Sequence, residues 1–251
     1  MPLIRRMRIL MGTAVVIEAV GDAGCLEQAF GEIARIEALM HPTRPGSDVA
    51  RINAARAGET LEIAADTHRL LALSLALHRL SGGTFDPCLP ERPGRVVDLE
   101  LRSDGLRCRE PVALDLGGIA KGHAVDCAVS ALRRGGCRAA LVNAGGDLRV
   151  LGEPLEPILI RSAGGELAPV RLVDEALAVS ELDVAARPGE HRGYYLREGA
   201  VRPDSGASRP RTAAAVIAPE AVLADALTKC VLLGSPANAA RALGAFGARA
   251  L

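Results

Sequence analysis

Between residues 95 and 152 the hydrophobic pattern changes period twice, and this constrains the fold more than any other feature of the chain. "RVVDLELRSDGLRCREPVALDL" reads as paired strands: 96–101, a turn at "SDG", 106–109 and, after the break at Pro111, 112–114. Residues 119–133 then carry apolar side chains at helical spacing, and "GGCRAALVNAGGDLRVLG" returns to strand, glycine turn and strand. The flanks follow the same plan. Residues 7–20 read as a strand or hairpin arm, and 23–40 as an amphipathic helix with Leu26, Phe30, Ile33, Ile36 and Leu39 on one face. "HPTRPGSD" ends that helix, Ser47 or Asp48 caps a short helical turn at "DVARIN", and Asp66 caps a helix over 67–80 that stops at Gly82 and Gly83. Strands are expected near 158–161, 170–173, 176–179 and 211–217, a hairpin at "RGYYLREGAVRP", and closing helices over 220–233 and 237–243. Helices interrupt runs of strands, so the fold class expected is α+β, with mixed, largely antiparallel sheets and flanking helices. One domain is expected to span 1–251.

Composition narrows the function. Half the residues are hydrophobic, enough for a sizeable core, while 30 basic residues balance 30 acidic ones, so charge lends no support to a nucleic-acid partner. No window reaches the roughly 18 uninterrupted apolar residues of a membrane span, and the start lacks the apolar centre of a secretion signal, so a cytoplasmic location is expected. Six cysteines without a C-x-x-C pair read as reduced thiols, and five histidines without metal-ligand spacing as surface or cap residues. No Gly-x-Ser-x-Gly elbow is present. With 2% aromatics and no tryptophan, a bound nucleotide or flavin would rest on backbone, aliphatic and polar contacts.

Of the 30 basic residues only Lys121 and Lys229 are lysine. Lys121 stands in "LDLGGIAKGHAVD", where Gly117 and Gly118 let a backbone approach a ligand and the following helix start offers free N–H groups to phosphate. The alternative is a glycine-rich turn with a surface lysine. Lys229 stands in "VLADALTKCVLLG", where helical geometry turns Asp225, Thr228 and Lys229 toward one site. An aspartate, a threonine and a backbone carbonyl form an oxygen set suited to magnesium; the alternative is an aspartate capping an apolar helix. "GGTFDP" reads either as a turn or as a ligand contact, and Gly145 and Gly146 either as a tight hairpin or as bare backbone for a ring.

Taken in order, "MGTAVVIEA", "SDVARIN", "GGTFDP", "LDLGGIAKGHAVD", "ALVNAGGDLRVLG" and "VIAP…ADALTK" resemble the ApbE family of FAD:protein FMN transferases over nearly the whole chain. The resemblance implies an ApbE-like fold and a magnesium-dependent enzyme that binds FAD, transfers its FMN half to a threonine hydroxyl of an acceptor flavoprotein and releases AMP. It assigns Met11, Thr84, Phe85, Asp86, Asp115 and Lys121 to the FAD site, with Gly118, Gly145 and Gly146 beside them. It assigns the Gly118 carbonyl and Asp225 to magnesium. Thr228 is expected as a further metal ligand, and Asp225 and Lys229 are the residues expected to carry catalysis.

Two departures bear on activity. The family's metal-binding threonine stands four residues after the aspartate, where this chain has Lys229; either Thr228 reaches the ion by a small helix rotation or the Lys229 ammonium partly replaces it. In "GAVRPDSG", Gly199 occupies the place of a histidine that is the family's proposed general base, and Arg202 that of an aspartate; His191 or Asp204 could approach from the same loop. Two further readings follow: a member that only binds FAD or hydrolyses it to FMN and AMP, and a binding module for a small molecule other than a flavin.

Overall fold

The computed structural model describes residues 2–103, 105–161, 167–181 and 213–251. The chain starts as a hairpin, β1 (Leu3–Leu10) and β2 (Thr13–Val20), followed by helices α1 (Ala23–Met40) and α2 (Asp48–Ala54). Strand β3 (Thr60–Leu61), helix α3 (Ala65–Leu80) and strands β4 (Leu99–Arg102) and β5 (Gly105–Cys108) come next. Helix α4 (Ala120–Arg134) leads into β6 (Ala140–Ala144), β7 (Asp147–Leu151), β8 (Ile158–Arg161), β9 (Leu167–Val170) and β10 (Ala176–Glu181). Strand β11 (Ala213–Ala218), helices α5 (Ala221–Leu233) and α6 (Pro236–Ala245) and strand β12 (Arg249–Ala250) complete the described order. The fold is α+β: a seven-stranded antiparallel sheet in the order β1-β2-β6-β7-β10-β11-β12, with β3-β5-β4 and β8-β9 as smaller antiparallel sheets.

Side chains of the large sheet alternate between two apolar layers, as the two-residue period of a strand requires. Val15, Ile17 and Ala19 of β2, with Ala140, Val142 and Ala144 of β6, join the main core with residues of α1, α4 and α5. Leu148, Val150, Leu177 and Ile217 point the other way and pack with Ile158 and Leu172.

Two turns mark one end of this sheet. Met11 and Gly12 close the first hairpin with φ of 53° and 71°, and Gly145 and Gly146 close β6 to β7 with φ of 64° and 100°. Two-residue turns with positive φ suit the right-handed twist of the strands they join. Because Val15 pairs with Ala144, both turns lie at the same sheet end. Positive φ is uncommon for a side chain as large as Met11, and its N–H is held by Glu37 Oε1 of α1 at 2.9 Å.

Several local expectations change. Asp66 does not cap α3, whose N-cap is Ala64. Asp48 serves that helix start, accepting from Ala64 N at 2.8 Å and Thr67 Oγ1 at 2.6 Å, while Ser47 caps α2. Asp66 is turned instead to Arg35 (2.7 Å) and His123 (2.8 Å), which makes His123 a buried partner and not a surface or cap residue. Residues 112–114 form only an isolated bridge, Cys88 to Leu114, and the strand read at 170–173 lies at Leu167–Val170. The hairpin expected at "RGYYLREGAVRP" lies outside the described residues. No described helix is long and apolar enough to cross a membrane.

Candidate functional site

Helices α4 and α5 meet at their N-terminal turns because Gly122 has no side chain. A Cβ there would lie 2.3 Å from the Ala221 carbonyl oxygen. At this distance each helix caps the other. Asp126 of α4 accepts from Ala221 N and Val222 N, both at 2.9 Å, and Asp225 of α5 accepts from Gly122 N at 3.1 Å. Backbone N–H groups at a helix start lack partners within the helix, and a carboxylate there also meets the positive end of the helix dipole. The free N–H groups expected at the start of α4 for a phosphate are therefore partly taken: Gly122 N by Asp225, and Ala120 N by the Leu116 carbonyl at 2.8 Å.

Four charges gather at the Asp225 side of this contact. Lys229 donates to the Asp225 carbonyl oxygen at 2.9 Å and pairs with its Oδ1; Lys121 pairs with Asp147 Oδ2 and lies 3.9 Å from Asp225 Oδ2. Asp225 is wholly buried, and burial would raise its pKa, yet Lys229 and then Lys121 hold it below the usual carboxylate range. Burial, and then the Asp225 charge, push Asp147 up to about 6. Burial opposes the Lys121 charge, but Asp225 and Asp147 outweigh it and keep the ammonium protonated above its ordinary range. The Thr228 hydroxyl donates to the Asp225 carbonyl at 2.6 Å and lies 2.7 Å from Ser180 Oγ on β10.

Lys121 links this cluster to solvent. Its side chain is 30% exposed and lines a cleft of about 370 Å³ at the sheet end marked by the Met11–Gly12 turn. Met11, Met40, Pro42 and Ala120 supply apolar wall, and Glu37, His41, Asp115 and Lys121 the polar groups. This mixture, and a volume within the roughly 300–1,000 Å³ of small-molecule sites, suit a small organic ligand. Asp115 Oδ1 takes Gly117 N at 2.7 Å, and Asn53 of "SDVARIN" grips Leu114 through both backbone groups, at 2.6 and 2.9 Å, which fixes the loop that presents Asp115.

The sequence matches the ApbE family over residues 11–99 and 93–250. The chain belongs to the ApbE family. A curated relative, the FAD:protein FMN transferase of Rhodobacter capsulatus, is 34% identical over 142 residues, covering 45% of this chain and 27% of that protein. This chain thus aligns with about a quarter of that relative's length. Among solved structures, the flavin transferase ApbE of Vibrio cholerae superposes with a TM-score of 0.80 at 18% identity, covering 100% of this chain and 93% of that one. The apo flavinyl transferase ApbE of Pseudomonas stutzeri gives 0.79 at 22% identity, covering 99% and 90%. At such identities the likeness establishes the fold.

Within this ApbE-family chain, the residues singled out in the sequence fall in different places. Met11, Asp115 and Lys121 meet in the cleft, and Asp225, Thr228 and Lys229 stand together behind Lys121. Gly118 is buried in the turn before α4. Gly145 and Gly146 form a tight hairpin turn: a Cβ at Gly145 would lie 2.5 Å from Thr13 Oγ1, whereas Gly146 has open space. Thr84, Phe85 and Asp86 are not brought to the cleft wall. The Phe85 ring is 1% exposed in the core, and Asp86 Oδ1 accepts from Cys88 N at 3.0 Å and Val96 N at 3.2 Å. Their segment reaches the site through backbone, since Asp115 N donates to the Pro87 carbonyl at 2.9 Å. Gly199, Arg202, His191 and Asp204 lie outside the described residues. Sequence reading missed Asp147, Glu37, Met40 and His41; the break at "HPTRPGSD" was a signal for the last two, and nothing local marks Asp147.

The oxygens at Asp225 are of the hard type that magnesium takes, but the arrangement does not fit a divalent ion. The carbonyl oxygen and Oδ1 already serve the Lys229 ammonium, and Thr228 is turned to that same carbonyl. Two ammoniums balance two carboxylates in a nearly closed site.

Proposed function

We propose that this chain transfers FMN from FAD to a threonine hydroxyl of an acceptor flavoprotein and releases AMP. The observation that carries this reading is the cleft in which Met11, Asp115 and Lys121 come together, backed by carboxylates that keep Lys121 charged. In the proposed reaction the threonine oxygen bonds to the FMN-side phosphorus. The bond from that phosphorus to the bridging oxygen breaks, its electron pair leaves with AMP, and the hydroxyl proton passes to a base. Charge grows on the phosphoryl and bridging oxygens as this happens, and a fixed ammonium stabilises it without reorganisation. Lys121, which reaches the cleft wall, supplies that charge; Asp147 and Asp225 hold it in place and protonated. The apolar wall of Met11, Met40 and Pro42 takes a flat ring, in keeping with a chain that has few aromatics to stack on it. Magnesium, which the family resemblance implies, would find the Asp225 oxygens it needs already held by Lys229.

A second reading, FAD binding or hydrolysis to FMN and AMP without transfer, is favoured by Gly199 in place of the expected histidine. AMP release from FAD, measured with and without a threonine-bearing acceptor, separates the two. Acceptor-dependent AMP with flavin on the acceptor supports transfer. Acceptor-independent AMP, or FAD binding without AMP, supports the second reading. A protein that neither binds FAD nor releases AMP sinks both.

A further inference from the structure

Every Asp225 oxygen that a metal ion would use already has a partner from the chain. Lys229 Nζ takes the carbonyl oxygen at 2.9 Å and pairs with Oδ1, while Oδ2 receives Gly122 N at 3.1 Å and faces Lys121 Nζ at 3.9 Å. The neighbouring hydroxyls are engaged as well, Thr228 with the Asp225 carbonyl and Ser180 with Thr228. We propose that the Lys229 ammonium is the resident cation of this site, seated where a divalent ion would sit, so that the chain meets the phosphates of its ligand with the Lys121 ammonium and no metal. The assignment of Lys229 stands on these contacts alone; the statement about phosphates rests on the FAD reading.

The lysine cannot easily give way to an ion. It lies one helical turn after Asp225, a spacing that keeps ammonium and carboxylate in contact, and its side chain is 10% exposed. Ala226, Leu227, Cys230 and Val231 around it on α5 are buried, so a displaced ammonium would stay in the interior without its carboxylate. An incoming divalent ion would also add two charges to a cluster already neutral. Its repulsion would act on Lys121 and Lys229 together.

Direct metal binding tests the assignment without reference to catalysis. Metal-free protein is titrated with Mn²⁺, and the free ion is followed by electron paramagnetic resonance, for the wild type, Asp225→Ala, Lys229→Thr and the double variant. The wild type is expected to show no Asp225-dependent site at Mn²⁺ concentrations up to about 1 mM. Lys229→Thr, which puts a hydroxyl where the ammonium was, should gain one site at least about tenfold tighter, lost again in the double variant. A wild-type site that disappears in Asp225→Ala overturns the proposal, as does a folded Lys229→Thr protein that gains none. If Lys229→Thr does not fold, the comparison of wild type with Asp225→Ala decides alone. Calorimetric titration of the wild type with FAD, in EDTA and in magnesium, tests the second half: affinities within about twofold support it, and a gain of about tenfold or more from magnesium overturns it. Absence of FAD binding in both buffers removes the FAD reading and with it the phosphate half, and leaves the Lys229 assignment to the Mn²⁺ result.

Discussion

Helices α4 and α5 exchange two buried aspartates, and the two contacts differ in what answers the negative charge. Asp126 receives two backbone N–H groups of α5 and one guanidinium, Arg149, at 2.5 Å. Burial outweighs these partners and raises its pKa. Asp225 receives one N–H group of α4 and two ammoniums, and its pKa is lowered. Both contacts hold the same helix pair together. Only at the second does a charged side chain of the cluster, Lys121, reach the cleft. The same capping geometry thus serves the fold at one point and places Lys121 at the cleft at the other.

The largest effect should come from breaking the structural contact. Asp126→Ala leaves the half-buried Arg149 without its carboxylate and two buried helix N–H groups without an acceptor, and should cost about 2–4 kcal/mol in denaturant unfolding. The affinity of the folded fraction for FAD should change little. A loss below about 1 kcal/mol would mean that Asp126 is dispensable to the helix pair.

Gly122→Ala acts on both contacts at once. Its methyl group must push α4 away from the Ala221 carbonyl, which costs about 1–3 kcal/mol as overpacking does elsewhere. Unlike Asp126→Ala it should also weaken FAD binding, because Asp225 and Lys121 move apart. Unchanged stability and binding would show that the helices are free to separate.

A smaller effect depends on pH. Asp147 has its pKa raised from 3.8 to about 6 in the folded chain, so the folded state binds a proton that the unfolded state has lost. Its contribution to stability is complete below about pH 3.8 and is lost as pH rises through about 6. Asp147→Asn removes this titration, so the wild type should lose stability relative to the variant between those values. Parallel stability profiles would contradict the placement of Asp147 against Asp225.

The sequence revealed the parts of this arrangement that are local. Amphipathic spacing identified α1 with both its ends, and the rarity of lysine drew attention to Lys121 and Lys229. One helical turn was enough to join Asp225 to Lys229. Asp147 escaped notice because it follows a hairpin turn, and only the pairing of β6 with β7 and the crossing of α4 bring it to Lys121, 26 residues away. The α3 cap was misread for a similar reason: the acid that serves it, Asp48, comes from another helix. Phe85 and Asp86 stand in a recognisable segment, but side-chain direction is set by packing, and packing turns Phe85 into the core. Strand β12 has two residues, too few to show a period.

In the proposed function Lys121, held charged by Asp147 and Asp225, meets the pyrophosphate of FAD. Calorimetric titration of the wild type and Lys121→Ala with FAD and with FMN tests it most directly. A charge-assisted hydrogen bond of about 1.5–3 kcal/mol predicts that the variant binds FAD about 10- to 100-fold more weakly while its affinity for FMN falls much less. Equal losses for the two ligands, or none for either, would contradict it.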